Sequence, residues 1–342
     1  MEEMTIKDIA KLCGVGISTV SRAINNHPDI NPETKEMIMS TIKENGYIPN
    51  NSARNLKRTE AKSIAVLVKG MSNLFFTTMI KVMEEEIKKK KYSLVLHHVD
   101  FNEDEIDVAL QLVKEKRLAG IIFLGGYFHQ HEKLEKLQVP YVLSTVSGPP
   151  ENLSFKEYSS VAVDDEAESF KMVEKLIQLG HKRIAILSAV SEDESIGKLR
   201  LLGYKRALKQ YHIPVAENLI VPMRADMEQY SMQNGYTVTK TLLESGEAFT
   251  ALYAISDMLA IGACKAIMDS GNRIPEDYSV AGFDGIELGK FYNPSLTTIR
   301  QPIEEMARAT VKLMFKVLSD SNEHRHQIFS AELVERGSTR AI

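Results

Sequence analysis

The sequence has little of what would tie a chain to a membrane, to a metal or to covalent chemistry. Its 342 residues include two cysteines, Cys13 and Cys264, far apart and each in an apolar helical pattern, so neither a disulfide framework nor a cysteine metal cluster is indicated. No stretch approaches the ~18 apolar residues a membrane helix needs. The opening Met-Glu-Glu-Met-Thr lacks a basic segment followed by an apolar one, so a cytoplasmic protein without membrane contact is expected. Six of the nine histidines come in pairs, His97-His98, His129 with His131, and His324 with His326. No set of three or four ligands accompanies them, and no metal or other cofactor is expected. Gly125-Gly126 lacks the Gly-Lys-Ser/Thr ending of a phosphate loop. No nucleophile with its base is legible, which argues against an enzyme. The run Lys88 to Lys91 sits at a helix end, where cations meet the dipole favourably, and reads as a solvated face.

What is present begins at Thr5. This residue is a good N-cap with an acid three positions on, Asp8, and Ile6, Ile9, Ala10 and Cys13 follow at the i, i+3, i+4, i+7 spacing of one buried helical face. Gly14-Val15-Gly16 turns the chain. Ile17 to Asn25 resume helical spacing, with Val20, Ala23 and Ile24 able to face the first helix and Ile17, Ser18, Ser21, Arg22 and Asn25 left outward. Those side chains suit base edges: Arg forks onto guanine O6 and N7, Ser donates or accepts, and Ile presses on a thymine methyl. A third helix is predicted from Asn31 as cap and Pro32 at the first turn, through Met37, Ile38 and Ile42, to Gly46.

An ordinary helical hairpin with a solvated face would account for residues 5–46, but not for the segment beyond Gly46. Tyr47-Ile48-Pro49-Asn50 breaks the helix, and Asn51 to Arg58 is a helix-capable piece of about two turns, too short to be stable alone in water. Ala53 and Leu56 lie on one side of it, flanked by Arg54, Lys57 and Arg58, an apolar wedge edged with phosphate-seeking charge that suits a minor groove. Residues 1–62 hold nine Lys/Arg against eight Asp/Glu, and the remainder 33 against 38, within a net charge of −4. So weakly basic a segment attracts DNA modestly, and pairing of two chains would be needed to double its phosphate contacts.

Thr5-Ile6-Lys7-Asp8-Ile9-Ala10, Val15, Ser18 to Arg22, Asn25-Asn26, Gly46 to Asn50 and Ala53 to Lys57 together resemble the lactose-repressor family of bacterial transcription regulators. The resemblance implies that the second helix reads the major groove through Ile17, Ser18 and Arg22, and that hinge helices of two subunits insert Leu56 as a wedge at the operator centre. The full set expected to touch DNA is Thr5, Ile6, Ile17, Ser18, Thr19, Ser21, Arg22, Asn25, Asn50, Ala53, Leu56 and Lys57. Gly16 departs from the family's common serine, which removes a hydroxyl but leaves a residue that still caps. Cys13 replaces a common alanine and reads as a small buried hydrophobe.

From residue 63 apolar strands alternate with helices: Ser63 to Val68, a helix through about Lys91, Tyr92 to Val99, Gly120 to Leu124 and Tyr141 to Leu143. After Val161 to Asp165 the programme repeats, with strands at Arg183 to Ser188, Ala251 to Ser256 and Ser279 to Asp284. Runs buried on both faces and spaced by helices predict doubly wound parallel sheets in two similar lobes. A small ligand is expected in the cleft at the carboxyl ends of the strands.

The resemblance extends through Leu179 to Ile184, Arg200 with Gly203-Tyr204, Ser279 to Asp284, Pro294 to Ile299 and Glu335 to Ser338. It implies an α/β fold: a three-helix helix-turn-helix headpiece over 1–49, a hinge helix and linker over 50–62, then a periplasmic-binding-protein-like core. The implied first lobe is 63–161 with 303–329, and the second 162–302 with 330–342. Carried over residue by residue, Arg200 is the ligand-clamping arginine and Asp284 the strand-end aspartate. Phe76 and Tyr230 are lobe aromatics, and Ser256 and Asp257 further contacts. Leu74 departs from a frequent proline, which reshapes the first-lobe wall.

The function expected is a homodimeric, effector-controlled repressor of carbohydrate-utilisation genes on a pseudo-palindromic operator. A sugar or sugar phosphate is the leading effector, with a purine or a partner protein as alternatives. A solute-binding protein without a DNA role is the competing class, which the headpiece disfavours. No heptad tail follows Ile342, so a dimer is expected over a tetramer.

Overall fold

The computed structural model describes residues 5–24, 27–45, 62–70, 72–126, 131–146, 158–190, 195–320 and 324–342, in two compact units, 1–60 and 61–342. In the first unit α1 (Ile6–Leu12), α2 (Ile17–Ile24) and α3 (Pro32–Glu44) close on a core of Ile9, Ala10, Val20, Ala23, Ile38 and Ile42. Thr5 starts α1 by donating its backbone N–H (2.9 Å) and its hydroxyl (2.6 Å) to the Asp8 carboxylate. Those bonds hold Asp8 below the usual carboxylate range. After α1, Gly14 turns left-handed at φ 64°, where a side chain would be strained. The Val15 and Gly14 N–H groups then bond back to Ala10 and Lys11, closing the helix end as a Schellman motif. Asn31 Oδ1 accepts from the Glu33 and Thr34 N–H groups at 2.8 and 3.2 Å, capping α3. Met37 and Met39 are exposed beside the buried Ile38 and Ile42, because positions one residue away lie about 100° round the helix. Cys13 is half-buried against this core. The stop at Gly46 and, save for Lys62, the hinge expected over 50–62 lie outside the described residues.

The second unit runs β1 (Ser63–Lys69), α4 (Leu74–Lys89), β2 (Ser93–Val99), α5 (Glu105–Glu115), β3 (Gly120–Leu124), β4 (Tyr141–Ser144), β5 (Ser160–Val163), α6 (Asp165–Gln178), β6 (Ile184–Ser188) and α7 (Ile196–Gln210). It continues with β7 (Ile220–Pro222), α8 (Met232–Glu244), β8 (Ala251–Ala254), α9 (Asp257–Asp269), β9 (Ser279–Asp284), α10 (Glu287–Phe291), β10 (Thr297–Arg300), α11 (Ile303–Ser319), β11 (His326–Phe329) and β12 (Glu332–Val334). These strands form two six-stranded sheets, in the orders β11-β5-β4-β3-β1-β2 and β12-β10-β9-β8-β6-β7. Every pairing is parallel except β12 on β10.

Burial on both faces explains the apolar runs. Along β1, Ile64, Val66 and Val68 pack with Met79 and Met83 of α4 and Met306 and Met314 of α11. The alternate residues Ala65 and Leu67 pack with Ile106, Ala109 and Leu112 of α5. The chain passes between the sheets after β5, after β10 and between β11 and β12. The strands that apolar patterning misses are β7, β10, β11 and β12: three or four residues each, with a proline in β7 and an outward-facing β11.

One glycine sets the packing that matters for the cleft. A Cβ on Gly203 would stand 2.3 Å from the Glu166 carbonyl oxygen, so its absence lets α7 lie directly against the start of α6. That approach brings Arg200, one turn earlier on α7, within reach of Asp165.

Candidate functional site

In the first unit the outward face of α2 carries exposed Ile17 (45%), Ser18 and Arg22, with Thr19 and Ser21 half-buried. Arg22 stands in the last turn of α2. Thr5 is exposed at the start of α1, and Ile6 is half-buried against the headpiece core. Asn25, Asn50, Ala53, Leu56 and Lys57 lie outside the described residues.

In the second unit a cavity of about 300 Å³ opens between the two sheets. Phe76, Arg200, Tyr230 and Asp284 all line it, although the chain separates the first from the last by 208 positions. Its walls come from strand ends and helix starts. Lys69 ends β1 and Gly70 follows it, Gly125 and Gly126 follow β3, Thr145 follows β4, and Asp284 ends β9; Phe76 lies in the first turn of α4 and Ser195 caps α7. The backbone there is unusual: Gly70, Gly125, Gly126, Thr145, Tyr230 and Asp284 all have positive φ. For a β-branched threonine (φ 55°) such a conformation costs energy that its surroundings must supply.

Arg200 is 2% exposed and is held from four directions. Its Nε and a terminal nitrogen each lie 2.8 Å from Asp165 Oδ1. Its other terminal nitrogen donates to the Ile255 carbonyl and stands 3.6 Å from Asp284 Oδ1. Its carbon centre sits 3.6 Å over the Phe283 ring, a stacked cation–π contact. Burial works against its charge, but Asp165 and Asp284 outweigh that and raise its affinity for the proton.

Asp284 accepts from Gln301 Nε2 at 2.9 Å and from Asn73 Nδ2 at 3.3 Å, the latter from the opposite lobe. Burial pushes its carboxyl up to about 7; the Arg200 charge opposes that and Asp257 adds to it. Tyr230 places its hydroxyl 3.4 Å from Ser195 Oγ, and Phe76 meets Phe75 edge to face at 5.4 Å.

Ser256 and Asp257, expected as ligand contacts, stand outside this wall. Ser256 Oγ caps α9 by accepting from the Leu259 N–H. Asp257 Oδ2 accepts from the Gly285 and Ile286 N–H groups, both at 2.8 Å, and Oδ1 accepts from the Thr298 hydroxyl at 2.6 Å. Its carboxylate is thus consumed in fixing the loop that follows Asp284, and burial pushes its carboxyl up to about 6. A strand-end acid can face a cavity or cap the next turn, and spacing alone does not separate the two roles.

The sequence reading also missed Thr145. Its side-chain oxygen is buried and has no hydrogen-bond partner among the described residues, yet the residue lines the cavity. Its one signal is position, immediately after a strand's carboxyl end. Asp165, Asn73 and Gln301 carried no motif. Among the described residues no group of three or more His, Cys, Asp or Glu could hold a metal, and no helix is long and apolar enough to cross a membrane.

Residues 5–50 match the family described as bacterial regulatory proteins, lacI family, and 173–339 match the periplasmic binding protein-like domain. The HTH-type transcriptional regulator MalR of Clostridium butyricum is 42% identical over 338 residues, covering 98% of this chain and 99% of MalR. The chain belongs to the lacI family. This family member is accordingly a DNA-binding regulator of transcription and not an enzyme. Catabolite control protein A of Priestia megaterium is 31% identical, over 92% of this chain and 93% of its own. Of solved structures, the lac repressor dimer bound to operator and the anti-inducer ONPF has a TM-score of 0.75 at 25% identity, covering 99% of this chain and 100% of that one. The CelR–cellobiose complex has a TM-score of 0.71 at 25% identity, covering 98% and 100%.

Proposed function

We propose that this regulator is a homodimeric repressor whose grip on a pseudo-palindromic operator is set by a small carbohydrate in the cleft. The observation that carries the effector reading is the composition of the wall. Arg200 and Asp284 present directional donors and acceptors, and Thr145 keeps a buried hydroxyl without a partner among the described residues. Phe76, Phe101 and Tyr230 offer aromatic faces. Hydroxyl-rich rings with apolar C–H faces match that combination. A solved relative bound to cellobiose supports the same chemistry.

In this reading Ile17, Ser18 and Arg22, with Thr5, Thr19, Ser21 and Asn25 beside them, meet the major groove. Asn50, Ala53, Leu56 and Lys57 serve the central minor groove. Lobes of 63–161 with 303–329 and 162–302 with 330–342 close on the effector. Their change of angle shifts operator affinity by a coupling of about 1 to 3 kcal/mol, some 5- to 150-fold.

The test is calorimetric titration of the full chain with a panel of sugars and purine bases, followed by operator binding with and without the ligand that gives heat. Heat with a sugar and a shifted operator affinity are expected. Heat with a purine alone, or no heat with any of them, would contradict the carbohydrate reading.

A further inference from the structure

Every basic side chain in the described cavity wall already faces a carboxylate. Lys69 Nζ lies 3.1 Å from Glu105 Oε2, with side chains 9% and 3% exposed, and also donates to the Glu103 carbonyl. Arg200 is bound to Asp165 and neighbours Asp284. His98 Nδ1 stands 3.4 Å from Asp100 Oδ1. Asp100 and Glu228 add exposed negative charge to the wall, and Glu228 makes no ion pair among the described residues.

Two helices also start at the cavity, and such starts ordinarily attract anions. Here two of the first three N–H groups of each helix are taken. The Phe75 N–H bonds to Asn73 Oδ1 and the Gly197 N–H to Ser195 Oγ, while the Phe76 and Lys198 N–H groups bond to the Asn73 and Ser195 carbonyls.

We infer that the cleft selects an uncharged polyhydroxylated ligand and rejects its phosphate monoester. This rests on the carbohydrate reading and narrows it, since a sugar phosphate is otherwise equally compatible with the aromatic and hydroxyl-binding wall. Among the described residues a phosphate could gain a lysine or arginine cation only by drawing Lys69 or Arg200 from its partner, and the remaining basic side chain, His98, already faces Asp100. Glu105 or Asp165 would then be left buried without its counter-charge, which costs more than the new pair returns. Water solvates the dianion better than this wall does.

The experiment titrates the full chain with glucose, ribose, cellobiose and maltose, each beside its phosphate monoester, at low and moderate salt. The neutral form that binds should do so at least tenfold more tightly than its phosphate. Equal or tighter binding of a phosphate would overturn the selection while leaving the carbohydrate reading intact; no binding by either form of any sugar would overturn the carbohydrate reading itself. The exposed pair of substitutions Asp100→Asn and Glu228→Gln should narrow the ratio severalfold by removing two negative charges. Both positions are solvated, so the fold tolerates the exchange, and a ratio that does not move would refute the electrostatic cause.

Discussion

The two units hold the side chains proposed for recognition in opposite ways. On α2 of the headpiece, Ile17, Ser18 and Arg22 are exposed, and the core beneath is built by Val20 and Ala23 on the other face. In the cleft, Arg200 and Asp284 are themselves buried core, braced by Asp165, Gln301, Asn73 and the Phe283 ring. A reader of base edges needs outward side chains that cost the fold nothing, whereas a clamp for one small molecule needs side chains with no freedom left to lose on binding. Substitutions should therefore separate stability from recognition in the first unit and couple them in the second.

The largest effect is expected at Arg200→Ala. Removing the guanidinium leaves Asp165 and Asp284 buried without their cation, and urea unfolding of the core should lose about 3 to 5 kcal/mol. A loss below about 1 kcal/mol, the usual range for a surface ion pair, would break the contrast.

Next in size is pH. Asp284 and Asp257 have carboxyls raised to about 7 and about 6 in the folded core, from an ordinary 3.8. The folded state then binds more protons than the unfolded state between roughly pH 4 and 7. Their contribution is fully present below the unfolded value and is lost as pH rises through 6 and 7, with a slope of at most about 1.4 kcal/mol per pH unit for each group. Denaturant midpoints of the core should fall from about pH 5 to about pH 8, and Asp284→Asn should flatten that fall. A pH dependence that Asp284→Asn leaves unchanged would show that Asp284 is ionised throughout.

Arg22→Ala is the headpiece counterpart. Operator affinity should drop by about 1 to 3 kcal/mol with relaxed preference at one base position, while headpiece stability stays within about 0.5 kcal/mol, as for other exposed positions. Equal losses on operator and random DNA would mean that Arg22 meets phosphate instead of a base edge.

The same contrast explains what could be read from the sequence. Thr5 with Asp8, Gly14, and Asn31 with Pro32 are local signals, so the headpiece helices followed from neighbours in the chain. The doubly wound core followed from runs such as Ile64 to Val68, which need no knowledge of their partners. Edge strands such as β7 and β12 did not, because a half-exposed strand of three residues carries no such run. In the cleft, Arg200, Asp284, Phe76 and Tyr230 came by resemblance and do line the cavity. Ser256 and Asp257 came the same way, and their oxygens accept bonds from the start of α9 and from the loop after Asp284. Which strand-end polar group faces the cavity depends on the turn that follows it, and the packing of the other lobe also enters. Neither is written in the residue type.

Thr145 gives the smallest expected effect and the sharpest one. Valine has nearly the same shape and the same branching at Cβ, so Thr145→Val keeps the strained backbone and the wall's contour while deleting one hydroxyl. Because that hydroxyl has no hydrogen-bond partner among the described residues, its removal should leave stability unchanged or slightly raised. If the group is kept for a ligand, affinity for the sugar identified by titration should fall by about 0.5 to 1.5 kcal/mol. The opposite pattern, lost stability with unchanged affinity, would show that Thr145 holds the cleft in shape without touching what fills it.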